Sequence, residues 1–138
     1  MDREEQNGDA IRKLLETSRT IAVVGLSSSK MRPSYGVAEY LQRAGYKIIP
    51  VNPNEKEILN EPAVTRLEDI REKVDIVDVF RRSEFVPEVA ESAVAIGAKA
   101  LWLQEGVIHE EAAQRARDAG LFVVVDLCIL KEHARRFR

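Results

Sequence analysis

Phosphate chemistry is concentrated in one stretch of this chain, Gly25-Leu26-Ser27-Ser28-Ser29-Lys30-Met31-Arg32-Pro33-Ser34-Tyr35-Gly36. Glycine lets a backbone come close to a ligand, hydroxyls and amides donate hydrogen bonds, and Lys30 and Arg32 add positive charge. The stretch follows the apolar run 20–24 and precedes a helical pattern. A strand–loop–helix junction of this composition suits an anion, because amides at a helix start and the positive end of the helix dipole both face the loop. Ser27, Ser28 and Ser29 have no histidine near them in sequence, so they read as donors and not as nucleophiles.

Four other polar groups follow apolar runs: Asn52-Pro53-Asn54, Arg81-Arg82-Ser83, Gln104-Glu105-Gly106 and Asp126-Leu127-Cys128. In a parallel sheet these positions lie beyond the carboxyl ends of the strands, where ligands bind. Arg32, Arg81 and Arg82 are expected to converge on one rim, since guanidinium forks take phosphate oxygens in pairs. The competing expectation is that they are solvated or pair with Glu39 and Glu84. Cys128 either faces the cleft or is a small buried hydrophobe.

Several chemistries are disfavoured. The dinucleotide fingerprint G-x-G-x-x-G is absent, and Asn52-Pro53 stands where an NAD-binding fold places its ribose-binding carboxylate, with Glu55 the nearest acid. No G-K-[ST] triplet makes a P-loop. The two histidines, His109 and His133, are expected on the surface, and neither a metal site nor a catalytic constellation is assigned. A lone cysteine excludes an intramolecular disulfide and a cysteine-based zinc site, and fits a reducing cytoplasm.

The 138 residues, 45% hydrophobic and 32% charged, suit one domain over 1–138 with a real core. A net charge of −2 argues against duplex nucleic acid as primary partner. The start, Met1-Asp2-Arg3-Glu4-Glu5, is too charged for a secretory signal, and no apolar run reaches membrane-spanning length, so no membrane partner is expected.

The positioning elements alternate. Ala44-Gly45, Ile96-Gly97 and Ala119-Gly120 each end a helical pattern, glycine being the usual stop. Apolar strand candidates are 20–24, 47–51, 74–80, 100–103 and 121–125, mostly continuous, as in sheets covered on both faces. Helical faces are expected at Val37, Ala38, Leu41 and Ala44; at Val86, Val89, Ala90, Ala93 and Val94; and at Ala112, Ala113, Ala116 and Ala119. Ile11, Leu14 and Leu15 suggest an extra N-terminal helix within 1–18, capped by Asp9. Segment 53–73 reads as an edge strand at Ala63-Val64 with a short helix, and Phe137 with the basic tail as an exposed contact surface. The fold class is α/β, Rossmann-like and doubly wound, with a mainly parallel five- to six-stranded sheet and helices on both faces.

Gly25-Leu26-Ser27, Arg32-Pro33-Ser34-Tyr35-Gly36-Val37-Ala38, Gly45-Tyr46, Pro50-Val51-Asn52-Pro53 and Asp75-Ile76-Val77-Asp78-Val79-Phe80-Arg81-Arg82 together resemble the small stand-alone CoA-binding proteins. Leu101-Trp102-Leu103-Gln104, Gly106 and Asp126 with Cys128 extend the likeness, over about residues 18–134. The family resembles the CoA-binding domain of succinyl-CoA synthetase alpha subunits and of NDP-forming acyl-CoA synthetases. The resemblance implies a Rossmann-like fold and coenzyme A or an acyl-CoA as ligand. It implies that Gly25, Ser27, Ser28, Arg32, Ser34, Tyr35 and Gly36 hold phosphates, that Val51, Asn52 and Pro53 pass close to the nucleotide, and that Phe80, Arg81 and Arg82 border the cleft. Gln104 and Gly106 fall in the synthetases' I-T-E-G turn.

Two departures stand out: Leu127 where relatives often carry arginine, and Glu105 where many small relatives are apolar. Binding without catalysis is the function expected, because the synthetases' catalytic histidine and nucleotide-binding parts lie in further domains. The alternatives are an enzyme component, either exchanging thiols through Cys128 or partnering a split acyl-CoA ligase, and an NAD(P)-binding regulator. A protein partner or a homo-oligomer is compatible with each.

Overall fold

The computed structural model describes residues 8–137. The charged start of the chain, 1–7, lies outside them. Five strands form one parallel sheet: β1 (Thr20–Val24), β2 (Lys47–Val51), β5 (Ile76–Val79), β6 (Ala100–Leu103) and β7 (Phe122–Val124), in the order β2-β1-β5-β6-β7. Val64 adds a sixth, one-residue rung beside β2, its N–H donating to the Pro50 carbonyl and its own carbonyl accepting from Asn52, both at 2.9 Å. With that rung counted, chain order reverses between β1 and β5, which is the switch point of a doubly wound sheet.

Period-two side-chain alternation feeds two cores. Ile21 and Val23 pack beneath α1 (Gly8–Thr17), α2 (Pro33–Arg43) and α5 (Ile129–Arg136), with Ile11, Leu15 and Leu41. Ala22 and Val24 face α3 (Val86–Ala95) and α4 (Glu110–Asp118), with Val89, Ala93 and Ala113. Proline opens both α2 and α3, where its missing N–H and fixed φ cost nothing. In α4 the His109 ring accepts from the Ala112 amide at 3.1 Å, and Glu110 and Glu111 begin a helix that ends in Arg115 and Arg117, matching its dipole.

The structure corrects several local expectations. Asp9 lies inside the first turn of α1 and does not cap it. Ala44, Val94 and Ala119 are exposed, at or beyond the ends of their helices. Segment 53–73 holds a small hairpin, β3 (Glu57–Ile58) and β4 (Glu61–Pro62), turned by Leu59 and Asn60 at φ 55° and 64°. Two left-handed residues in succession are the turn that matches strand twist, and Leu59 lacks the Asn or Gly signature that marks it in sequence. The short helix there is one 3-10 turn, Leu67–Asp69.

The C-terminal tail is the largest departure. It is a helix, α5, whose inner face buries Ile129, Glu132 and His133. Glu132 is paired in the core, with Arg136 at 2.8 Å and Arg135 at 3.4 Å. His133 sits among Tyr40, Tyr46 and Phe137, with the Tyr40 hydroxyl 2.8 Å from Nδ1. Burial pushes its pKa below the usual 6.5. Phe137 is half-buried against that ring, and the Arg12 guanidinium lies 4.7 Å above it. Among the described residues no helix is long and apolar enough to cross a membrane.

Candidate functional site

Everything at the carboxyl edge turns on Gly25. Its N–H donates to the Val51 carbonyl at 2.9 Å, fixing the loop to β2, while Phe80 N–H donates to the Val24 carbonyl at 2.8 Å, fixing β5 alongside. The glycine has φ +86°, and a Cβ there would lie 2.3 Å from the Phe80 carbonyl oxygen. Only glycine permits strand ends this close at that φ. Asn52 holds the loop from the other side, donating from Nδ2 to the Leu26 carbonyl at 2.9 Å. Its role is therefore to brace the loop, and its Oδ1 accepts from Asn54.

Two hollows open at this edge. On the α2 face lies a cleft of about 550 Å³ that brings together Gly25, Ser27, Arg32, Ser34, Phe80 and Gln104 from the sequence-derived set. Val37, Val107 and Cys128 give it an apolar side. The cysteine thus lines the cleft and is also nearly buried, at 8% exposure. The first turn of α2 borders this cleft with no side-chain cap: Arg32 is its extended N-cap residue, and Ser34 spends its hydroxyl on the Ser27 amide at 3.1 Å. On the α3 face lies a hollow of about 310 Å³ containing Val51, Pro53 and Arg81. Thr65, Arg66 and Val89 also line it.

Arg32, Arg81 and Arg82 consequently do not share one rim. Arg81 is drawn to the α3 face, its guanidinium 4.2 Å from the centre of the Phe85 ring. Arg82, 82% exposed, is 3.9 Å from Glu84. Tyr35 and Gly36 lie on α2 outside both hollows, and Ser28 points across to Glu55. The Gly106 amide, at φ +82°, donates to Asp126 Oδ1 at 2.8 Å and so ties the Gln104–Gly106 turn to the loop after β7. Gln104 is buried, its Oε1 accepting from the Ile129 amide that starts α5. Glu105 pairs with Lys131 at 3.1 Å, and that contact raises the Lys131 pKa.

Sequence reasoning missed Thr65 and Arg66. Their signal was weak because a one-residue strand positions them. Beneath the α2-face cleft, Asp78 stands between Val23 and Trp102 with no exposure, and neither carboxyl oxygen has a hydrogen-bond partner. Burial raises its pKa well above the usual 3.8, which favours the neutral form. Among the described residues no cluster of His, Cys, Asp and Glu could hold a metal ion.

A doubly wound sheet whose switch point carries a glycine crest, an uncapped helix start and an arginine on each side belongs to the Rossmann-like α/β class. Residues 19–134 match the CoA binding domain family model, and the chain belongs to that family. It is 47% identical over 124 residues to YneT of Bacillus subtilis (strain 168), covering 90% of this chain and 92% of that protein. It is 29% identical over 100 residues to the ADP-forming acetate–CoA ligase II of Archaeoglobus fulgidus, 71% of this chain but 15% of the ligase. A solved hypothetical protein from Pyrococcus horikoshii OT3 superposes with a TM-score of 0.93 at 34% identity, over 96% of this chain and 93% of that one.

Proposed function

We propose that this protein binds coenzyme A or an acyl-CoA across the Gly25 crest, with no chemistry of its own. The observation that carries this reading is the pair of unlike hollows flanking the end of β1, one lined by Gly25 and the other by its neighbour Val24. Coenzyme A is a two-ended ligand, a phosphorylated adenosine joined through pyrophosphate to a thin pantetheine arm. The pyrophosphate lies over Gly25, within reach of the uncapped start of α2 and of Arg32. The adenosine end takes the α3-face hollow, against Val51, Pro53 and Val89, with Arg81 and Arg66 for its remaining phosphate. The pantetheine arm takes the α2-face cleft and runs past Val37, Phe80 and Val107 toward Cys128.

An amide chemical-shift map with CoA tests this placement. Perturbations are expected on both sides of Gly25, at Arg32–Val37 and at Thr65–Leu67. Perturbations confined to one hollow contradict a straddling ligand.

The position of Cys128 favours a second reading. A Cys128 thiolate facing the cleft can attack CoA disulfide, forming a protein–CoA disulfide and releasing one CoA thiolate. Intact-protein mass spectrometry after exposure to CoA disulfide distinguishes the two: a CoA adduct lost in Cys128→Ser supports exchange, and unmodified protein supports binding alone. The likeness to part of an ADP-forming ligase supports, as the alternative, a role as the CoA-binding component of a split acyl-CoA ligase.

A further inference from the structure

The Gly/Ser loop is already satisfied by acceptors of the protein itself. Ser27 N–H donates to Ser34 Oγ at 3.1 Å, Ser29 N–H to Ser27 Oγ at 3.0 Å, and Met31 N–H to Ser29 Oγ at 3.3 Å. These acceptors are neutral hydroxyls, which rotate and exchange partners readily. Ser28 is different. Its N–H, at 3.2 Å, and its Oγ–H, at 2.6 Å, converge on a single oxygen, Glu55 Oε2. Glu55 reaches the loop from beyond β2, and among the described residues it has no ion pair. A charged acceptor therefore occupies the donor pair that a phosphate oxygen would use.

We propose that Glu55 is an internal phosphate surrogate: it holds the Ser28 donors in the free protein and must leave when a ligand phosphate takes them. The proposal rests on the phosphate-binding role assigned to the loop above. Two anions cannot share one N–H and one O–H a few ångströms apart without strong repulsion. Glu55 thus acts as a specificity-determining residue. It makes the loop refuse anions that bring too few other contacts, and it lowers affinity for those that bind. A ligand hydroxyl at the same place would have the opposite relation to Glu55, donating to the carboxylate and gaining from it. The sign of the effect separates the two cases.

The test is calorimetric titration of CoA and, separately, inorganic pyrophosphate into wild type, Glu55→Gln, Ser28→Ala and the double variant. Glu55→Gln keeps the shape and removes the charge, and its half-buried position outside both cores leaves the fold intact. Both probes should bind Glu55→Gln tighter by about 5- to 10-fold, the scale by which a charged hydrogen bond exceeds a neutral one. In the Ser28→Ala background that gain should shrink to about 2-fold or less, because only the general loss of negative charge remains. Unchanged or weaker binding in Glu55→Gln overturns the proposal, and so does an undiminished gain in the double variant. If pyrophosphate shows the gain while CoA binds neither protein, the surrogate role stands and the CoA assignment falls.

Discussion

Replacing Gly25 by alanine should damage stability and site together, and the cost can be worked from the crest itself. A Cβ at this position lies 2.3 Å from the Phe80 carbonyl oxygen, 3.1 Å from its carbon and 3.2 Å from Arg81 Cδ. Ordinary contact begins near 3.4 Å, so the end of β5 must retreat by about 1 Å. That retreat sacrifices either the Gly25–Val51 or the Phe80–Val24 backbone hydrogen bond, each worth about 1 kcal/mol net. Holding an alanine at φ +86° adds about 1–2 kcal/mol. Together these give a loss of about 2–3 kcal/mol, or a fall in Tm of about 10 °C for a domain of this size. Urea unfolding followed by circular dichroism reads the loss as a lower midpoint at unchanged slope. CoA affinity, measured where the variant is fully folded, should fall as well, since Arg81 moves with β5. Gly36→Ala is the matched control: nothing lies within 4 Å of its Cβ, and a helical glycine replaced by alanine should gain about 0.5–1 kcal/mol. A Gly25→Ala protein within about 0.5 kcal/mol of wild type would refute the close-approach account.

Further predictions concern charge. Arg32→Ala and Arg81→Ala should each weaken CoA binding by about 1.5–3 kcal/mol if each makes a charged hydrogen bond to phosphate; calorimetry showing unchanged affinity assigns that arginine to solvent. Asp78→Val should stabilise the fold by about 1–3 kcal/mol at neutral pH, because it removes a buried carboxyl without partners. Since burial raises the folded-state pKa of Asp78, the unfolded chain loses its proton first, from about pH 3.8 upward, and wild-type stability falls with rising pH beyond that point. The gap between variant and wild type should therefore widen from pH 4.5 to 7.5 in urea melts, and a constant gap counts against a neutral Asp78. His133 has the opposite sign: its folded pKa is depressed, so stability present above 6.5 is lost as pH falls from there toward the folded value. His133→Phe should flatten that limb of the stability profile, which thermal melts between pH 7.5 and 5 would show.

Much of the sheet was legible because five apolar runs and three helix-stopping glycines are local signals. The cleft on the α2 face was legible for the same reason, its residues falling directly after strands. What escaped is what tertiary packing decides. The α5 helix reads as a solvated basic tail until Glu132 and His133 find Arg136, Tyr40 and Tyr46. Arg81 and Arg82 look equivalent in sequence, yet Phe85 draws one to the α3 face while the other remains in solvent. Glu55 could be noted as the nearest acid to the second strand, but its bond to Ser28 requires two loops to meet. Arg66 depends on a single-residue strand rung at Val64, which no periodicity can reveal.

We propose that the two hollows beside Gly25 form one coenzyme A site. Calorimetric titration of the wild-type protein with CoA, dephospho-CoA, NAD and ATP tests it most directly. Saturable one-to-one binding of CoA, weaker binding of dephospho-CoA and the weakest response to NAD and ATP are the predicted results. Tight NAD binding with no response to CoA would contradict it.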